Sequence, residues 1–313
     1  MALTGRSRYL SSVYLREVKT ISLSKHLSGF FRMRIDVHTH IFPPDIVQDR
    51  QGFYDGEPAF RHLYDSPRAR LATVESLLET MERDRVDRAV VFGFPWQKPE
   101  LAMRHNDYVL ESAAKYAPAL IPLGCVNPVG PGSLREAERC LALGARGLGE
   151  LAVYGLVDEA VALNCYQDLI ACCGMYDGIM LVHANEPVGR AYPGKAPLGL
   201  DFYYALARMA AEIRLILAHW GGGLGFYELL KREAPEILRN VFYDTAASPF
   251  LYKSSMYTTM AAIVGVQRIL FGSDYPLISP GRYFREMAET GISSEGLSAI
   301  TGENASALFG ITR

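Results

Sequence analysis

From Arg34 to the neighbourhood of residue 280, short apolar runs alternate with amphipathic stretches, and this alternation restricts the fold more than any other feature of the chain. Strand-like runs fall at 34–40, 88–93, 119–125, 145–151, 178–184, 214–219, 240–245 and 269–274. Helical patterns lie between them near 70–84, 100–116, 132–143, 159–174, 200–212, 225–238 and 251–264, with a helical tail after 281. Strands separated by helices need crossover connections, which give a parallel sheet with right-handed βαβ units. Eight of them predict an α/β fold of the (β/α)8 or TIM-barrel class, closed rather than doubly wound. No Gly-x-Gly-x-x-Gly follows the first run and no Walker-type loop occurs, which disfavours nucleotide-binding folds. The chain has 313 residues and 49% hydrophobic content. Such barrels typically occupy ~250 residues, so one domain over 33–313 is the economical reading.

Four of the runs end in the same way. Ile35-Asp36-Val37-His38-Thr39-His40 closes on two histidines one residue apart. Strand side chains alternate faces, so His38 and His40 point to one side, as does Asp36 below them. Ile179–Val182 is followed by His183, Leu215–Ala218 by His219, and Ile269–Ser273 by Asp274. The chain has only seven histidines, and four of them stand at strand ends. Function in such barrels gathers at the carboxyl ends of the strands. Buried polar groups need partners, and a divalent cation satisfies all of these at once. A metal centre is therefore expected. Four separately satisfied histidines would leave unexplained why each ends a strand.

Bulk composition excludes several other roles. A net charge of −2 gives no nucleic-acid footprint. Five cysteines without a C-x-x-C spacing argue against a disulfide framework or a thiolate zinc site. The adjacent Cys172 and Cys173 read as helix packing residues, and a reducing cytoplasm fits. The sequon Asn304-Ala305-Ser306 is read as chance. No apolar run reaches the ~18 to 20 residues needed to span a bilayer, so no membrane partner is expected. Residues 1–32 carry Arg6, Arg8, Arg16, Lys19, Lys25 and Arg32 against the single acid Glu17. That composition resembles a transit peptide. Because Met33 stands immediately before the first strand, 1–32 are expected to be a disordered or non-native leader.

Two connections exceed the usual few residues. One runs 41–69, with Arg50, Arg61, His62 and Arg68. The other runs 185–198, with Asn185, Glu186, Arg190 and Tyr192. Both leave the barrel's catalytic face, so they read as lids and specificity loops for a small-molecule substrate. Arg190 is a candidate clamp for a substrate carboxylate. Asn185, Trp220 and Tyr154 are further candidate contacts, with Trp96, Asn127 and Tyr275 also following strand ends. Lids beside a barrel mouth often pack against a second subunit, so a homodimer is expected. His105 is expected on a solvent-facing helix side and His26 falls in the leader. Gly221–Gly223 read equally as a flexible turn or as backbone N–H groups facing an anion.

These motifs resemble the amidohydrolase superfamily, in particular the amidohydrolase-related branch that includes aminocarboxymuconate semialdehyde decarboxylase. The likeness rests on Asp36-Val37-His38-Thr39-His40-Ile41-Phe42-Pro43-Pro44, Val182-His183, Ala218-His219-Trp220-Gly221-Gly222, Phe271-Gly272-Ser273-Asp274-Tyr275-Pro276 and the tail 302–310. It implies a metal-bearing barrel, usually zinc with manganese as the alternative, acting on small molecules. It also implies His38, His40, His183 and Asp274 as ligands, with His219 either a ligand to a second ion or a free acid/base. Asp274 suits two tasks, ligand and proton acceptor. A bound ion lowers the pKa of its water far below the bulk value, towards ~7. Glu150, ending the fourth strand, is the branch point. Related TatD-like hydrolases carry a metal-bridging glutamate in a similar context, whereas the decarboxylases are not expected to need one. Glu150 is read as a ligand or near-ligand; its alternative is a core carboxylate paired with Arg146. The first expectation is thus a metal-dependent hydrolase of an ester, lactone or amide, with one or two ions. The alternative is a non-oxidative decarboxylase of a small carboxylic acid, and the third, non-catalytic possibility is a metal-holding barrel.

Overall fold

The computed structural model describes residues 33–311. The expected leader, residues 1–32, lies outside them. All eight expected strands form: β1 Ile35–His40, β2 Arg88–Phe92, β3 Leu120–Pro122, β4 Gly147–Leu151, β5 Ile179–Val182, β6 Arg214–Leu217, β7 Val241–Asp244 and β8 Ile269–Leu270. They run parallel in two sheets, β1-β2-β3 and β4-β5-β6-β7-β8. Backbone hydrogen bonds join the sheets at both seams. Gly124 N–H donates to Gly147 O and Gly149 N–H to Gly124 O between β3 and β4. Val37 N–H donates to Phe271 O, and His40 N–H to Tyr275 O, between β1 and β8. The fold is the (β/α)8 barrel.

Strand alternation sorts the core into two layers. In β5, Ile179 and Leu181 face the barrel interior with Ile35, Val37, Leu123 and Ile216. Met180 and Val182 face the surrounding helices, among Tyr166, Leu169, Phe202 and Leu206. Apolar residues on both faces are what a sheet covered on both sides requires. The interior cluster continues into Ala305, Leu308 and Phe309 of the C-terminal segment. Arg146 and Arg214, at the strand beginnings, donate to the carbonyls of Phe309 and Leu308. The tail therefore stoppers the amino end, leaving the carboxyl end open for the site.

The structure departs from the expected elements at two places that bear on function. The helix expected at 225–238 is two short ones, Tyr227–Leu230 and Ala234–Ile237. Lys231 is extended between them, and Pro235 opens the second, where its missing N–H costs nothing. The eighth strand stops at Leu270 rather than reaching 274, and Asp274 takes a left-handed φ of 60°. The chain turns out of the barrel there, and an aspartate tolerates that conformation better than most residues.

Candidate metal centre

At the open end the strand termini deliver six side chains to one place. His38 and His40 come from β1, Glu150 from β4, and His183 from the residue after β5. His219 and Asp274 sit just beyond β6 and β8. Glu150 is central. Its Oε1 lies 2.9 Å from His183 Nδ1, 3.5 Å from His219 Nε2 and 3.7 Å from His38 Nε2. Its Oε2 lies 3.7 Å from His40 Nε2. Asp274 Oδ1 is 3.5 Å from Nε2 of both His38 and His40. Two trios, His38–His40–Glu150 and Glu150–His183–His219, each bring their ligand atoms within 4.8 Å of one another. The alternative partner Arg146 is spent on Phe309, so Glu150 belongs to the cluster and not to a core ion pair.

Each imidazole is turned by a contact at Nδ1. His38 Nδ1 meets Asp244 Oδ2 at 2.8 Å, and His40 Nδ1 meets Gly93 O at 3.1 Å. His219 Nδ1 meets Ala246 O at 3.1 Å. The Nε2 atoms of His38, His40 and His219 are thereby aimed inward, whereas His183 turns Nδ1 to Glu150; Nε2 of His38 and of His183 are buried without a hydrogen-bond partner. Buried orphan nitrogens are rare unless something else satisfies them. The donor set, imidazoles with carboxylates, suits zinc or manganese. The residues fit a divalent cation.

Asp244 ends β7, and the sequence reading missed it. Its second oxygen accepts the His219 N–H at 2.9 Å, so one carboxylate fixes two cluster histidines. The signal was available: Val241-Phe242-Tyr243-Asp244 is a further apolar run closing on a metal-competent residue. Asp36 works one layer lower, accepting the N–H of His38 at 3.1 Å and that of Ser273 at 2.9 Å, which ties β1 to the Asp274 turn.

The packed charges shift each other's titration. Burial pushes His38 down, but the carboxylates of Asp244, Glu150 and Asp274 outweigh it and hold the imidazole up at about 10. His219 is raised to about 9: burial opposes, and Glu150 and Asp274 prevail. Burial raises Asp274, yet the hydrogen bond from His40 and the neighbouring histidines bring it down to about 2. Glu150 is likewise held well below the usual carboxylate range against its burial, by His38 and His183. Metal ligands must be deprotonated, so an incoming cation displaces these protons.

Above the cluster is a cavity of about 570 Å³. His40, Glu150, His183, His219 and Asp274 reach it, beneath walls that include Tyr64, Phe94, Tyr154, Tyr192, Phe250 and Leu251. Of the expected contacts, Tyr154 lines this cavity and stacks on Phe94 with 4° between ring planes. The structure does not bring the other three to it. Trp220 is fully buried among helices, its indole N–H donating to Ser248 Oγ. Asn185 spends its amide on the Glu186 carbonyl and the Ala196 N–H, shaping its own loop. Arg190 is exposed outside the lining. The arginines that do line the rim are Arg68 and Arg70. His62 and Asn127 line a neighbouring cavity instead. His105 is 1% exposed rather than solvent-facing; it accepts from Trp96 Nε1 and meets Ile41 O at 2.6 Å. The glycine run after His219 is a tight left-handed turn, and a Cβ on Gly222 would stand 2.2 Å from Asn185 O.

The amidohydrolase family signature matches residues 35–311, so the chain belongs to the amidohydrolases. Among solved structures it resembles 5-carboxyvanillate decarboxylase from Sphingomonas paucimobilis, at 17% identity and a TM-score of 0.70 over 90% of this chain and 100% of that one. It also resembles 2,6-dihydroxybenzoate decarboxylase from Rhizobium, at 18% identity and a TM-score of 0.66 over 90% and 99%. A third is a dihydroxybenzoic acid decarboxylase from Polaromonas holding manganese and 2-nitroresorcinol, at 17% identity and a TM-score of 0.63 over 90% and 98%. Comparison with curated protein sequences gives no match. Among the described residues no helix is long and apolar enough to cross a membrane.

Proposed function

We propose that the chain is a divalent-metal-dependent, non-oxidative decarboxylase of a small aromatic carboxylic acid, in preference to the hydrolase expected first. The observation that carries this reading is the cavity: aromatic walls over a His/carboxylate floor, with Arg68 and Arg70 at the rim. A planar ring fits beside Phe94 and Tyr154, and a guanidinium suits a carboxylate. The decarboxylase activities named for its structural neighbours support the same choice.

His38, His40, His183 and Asp274 would hold the cation. When bound, it polarises an oxygen substituent of the substrate. The apolar walls keep water from the ring and lower the local dielectric, which weakens solvation of the departing carboxylate. The C–C bond breaks, CO2 leaves, and the electron pair stays on the ring carbon. His219 Nε2, in the cavity and 3.5 Å from Glu150 Oε1, supplies the proton that this carbon takes. The Asp244 contact to its backbone N–H and the Ala246 carbonyl at Nδ1 keep that nitrogen aimed inward.

One observation favours hydrolysis as the second reading: Glu150 belongs to both ligand trios, so it is positioned to bridge two ions. Metal content per chain, measured by elemental mass spectrometry together with CO2 release from a panel of hydroxybenzoates, separates the two. One equivalent with CO2 release, and deuterium from D2O entering the ring, supports the decarboxylase. Two equivalents with ester or amide cleavage and no CO2 overturns it. Glu150→Gln sharpens the result, since loss of a second ion together with cleavage assigns it to a bridge.

A further inference from the structure

A second cavity lies behind the wall of the first. It measures about 400 Å³ and is lined by Arg50, Arg70, Arg83, Ser76, Thr80 and Ser279, with Tyr275, Pro276 and apolar residues. Three guanidiniums line it and no carboxylate does. Ser76, Thr80 and Arg83 occupy one face of the helix Val74–Asp84, at spacings of four and three residues. Arg50 comes from the first lid, where Nη1 is held by the carbonyls of Tyr64, Ser66 and Ala69. That guanidinium is fixed by neutral carbonyls rather than neutralised by an acid. Asp84, beside the cavity, engages two of its members: Arg83 donates to it through Nε and Nη2, Ser279 Oγ donates to its Oδ2, and Arg83 also donates to Ser279 Oγ. Of the other acids nearby, Glu79 is close enough to act on Tyr275 but does not line the cavity.

We infer that this cavity is a binding site for a phosphoryl-bearing small molecule. Guanidiniums present paired N–H donors that match the oxygens of a phosphate, and the Ser76 hydroxyl supplies a further donor. The volume falls within the range of small-molecule sites, ~300 to 1,000 Å³, leaving room beyond the phosphate itself. A phosphomonoester is thus the fitting ligand, with its phosphate among the arginines. The site adjoins the catalytic cavity. Ala69, Arg70 and Pro276 line both, and Tyr275 follows Asp274 directly. An anion drawing Arg70 to its own side withdraws a cation from the catalytic rim, which would make the ligand an effector.

The test is isothermal titration of the full chain, carrying its metal, with inorganic phosphate and separately with glycerol phosphate at fixed ionic strength. Saturable single-site binding is expected for the wild type. Ser76→Glu puts a carboxylate on an exposed helix position facing the arginines, and Arg83→Gln removes one charge; each should weaken binding at least about tenfold. Asp274→Ala, in the metal cluster, should leave phosphate affinity within about twofold. Thermal melting of each variant establishes that it is folded. Tighter binding of glycerol phosphate identifies a phosphomonoester site, and equal affinities identify a free-phosphate site of the same chemistry. No saturable heat up to about 10 mM of either ligand overturns the inference. So does binding that survives both Ser76→Glu and Arg83→Gln but disappears in Asp274→Ala, because the anion would then sit on the metal centre.

Discussion

The floor and the rim of the catalytic cavity are built by different means. On the floor, the cluster histidines sit at or just past strand ends, and a contact at each Nδ1 sets the ring: Asp244, Gly93, Glu150 or Ala246. On the rim, Tyr64, Arg68 and Arg70 come from the lid after β1, Tyr192 from the loop after β5, and Phe250 and Leu251 from the segment after β7. Arg68 and Arg70 are exposed there. The floor is held by hydrogen bonds to a rigid scaffold, whereas the rim depends on loop paths. Under the proposed function, chemistry that needs tight geometry would sit on the first, and choice of substrate would be left to the second.

If that division holds, the largest effect follows from breaking the floor. Asp274→Ala removes the carboxylate shared by His38 and His40 and should cut turnover by at least about 10³-fold, measured as CO2 release at saturating substrate. Near-normal activity in this variant would end the floor's claim to the chemistry. The next effect concerns a support under the floor. His105 is neutral, accepting from Trp96 Nε1 while its Nε2 meets the Ile41 carbonyl beside His40. Burial, the main cause, depresses it from 6.5 to about 4. The unfolded chain takes up the proton near 6.5 and the folded chain resists it, so stability present above pH 6.5 is lost as pH falls towards 4. The expected loss approaches about 3 kcal/mol. Urea unfolding at pH 7 and pH 4.5 measures it; a His105→Gln variant with the same pH slope as wild type would remove His105 as the cause. Asp244→Asn is smaller. It keeps the shape but weakens the hold on His38, and metal affinity should drop about 10- to 100-fold.

The same contrast explains what could be read from the sequence. Strand period and helix period specify which residues alternate and where, so eight strands and the site at their carboxyl ends were legible from β1 to β8. His38, His40, His183, His219, Glu150 and Asp274 come together because a parallel barrel gathers strand ends whatever the loops do. Asp244 was legible by the same pattern and was passed over. His105 was misjudged because helix periodicity does not reveal that a first-lid aromatic, Phe42, covers that face with ring centroids 4.8 Å apart. Trp220 follows a strand end, but five consecutive positive-φ residues, 219–223, turn it back under the helices. Arg190 and Arg68 both stand in long loops next to prolines and small residues, and nothing in their local sequence distinguishes the one that lines the cavity.

That last pair gives the smallest and most selective test of the rim. Arg68 lines the catalytic cavity; Arg190 is exposed on the other lid, outside the lining. If Arg68 meets a substrate carboxylate or ring oxygen, Arg68→Ala loses a charge-assisted hydrogen bond made in ground state and transition state alike. KM should then rise about tenfold with kcat little changed. Arg190→Ala should move neither parameter by more than about twofold, because an exposed guanidinium without a buried partner contributes little. The reverse result, with Arg190 raising KM and Arg68 silent, would mean that the 185–198 loop folds inward over bound substrate and that the rim is assembled by the ligand. An equal drop in kcat and kcat/KM for Arg68→Ala would instead move this arginine from holding the substrate to stabilising charge as the C–C bond breaks, and the division between floor and rim would have to be redrawn at that residue.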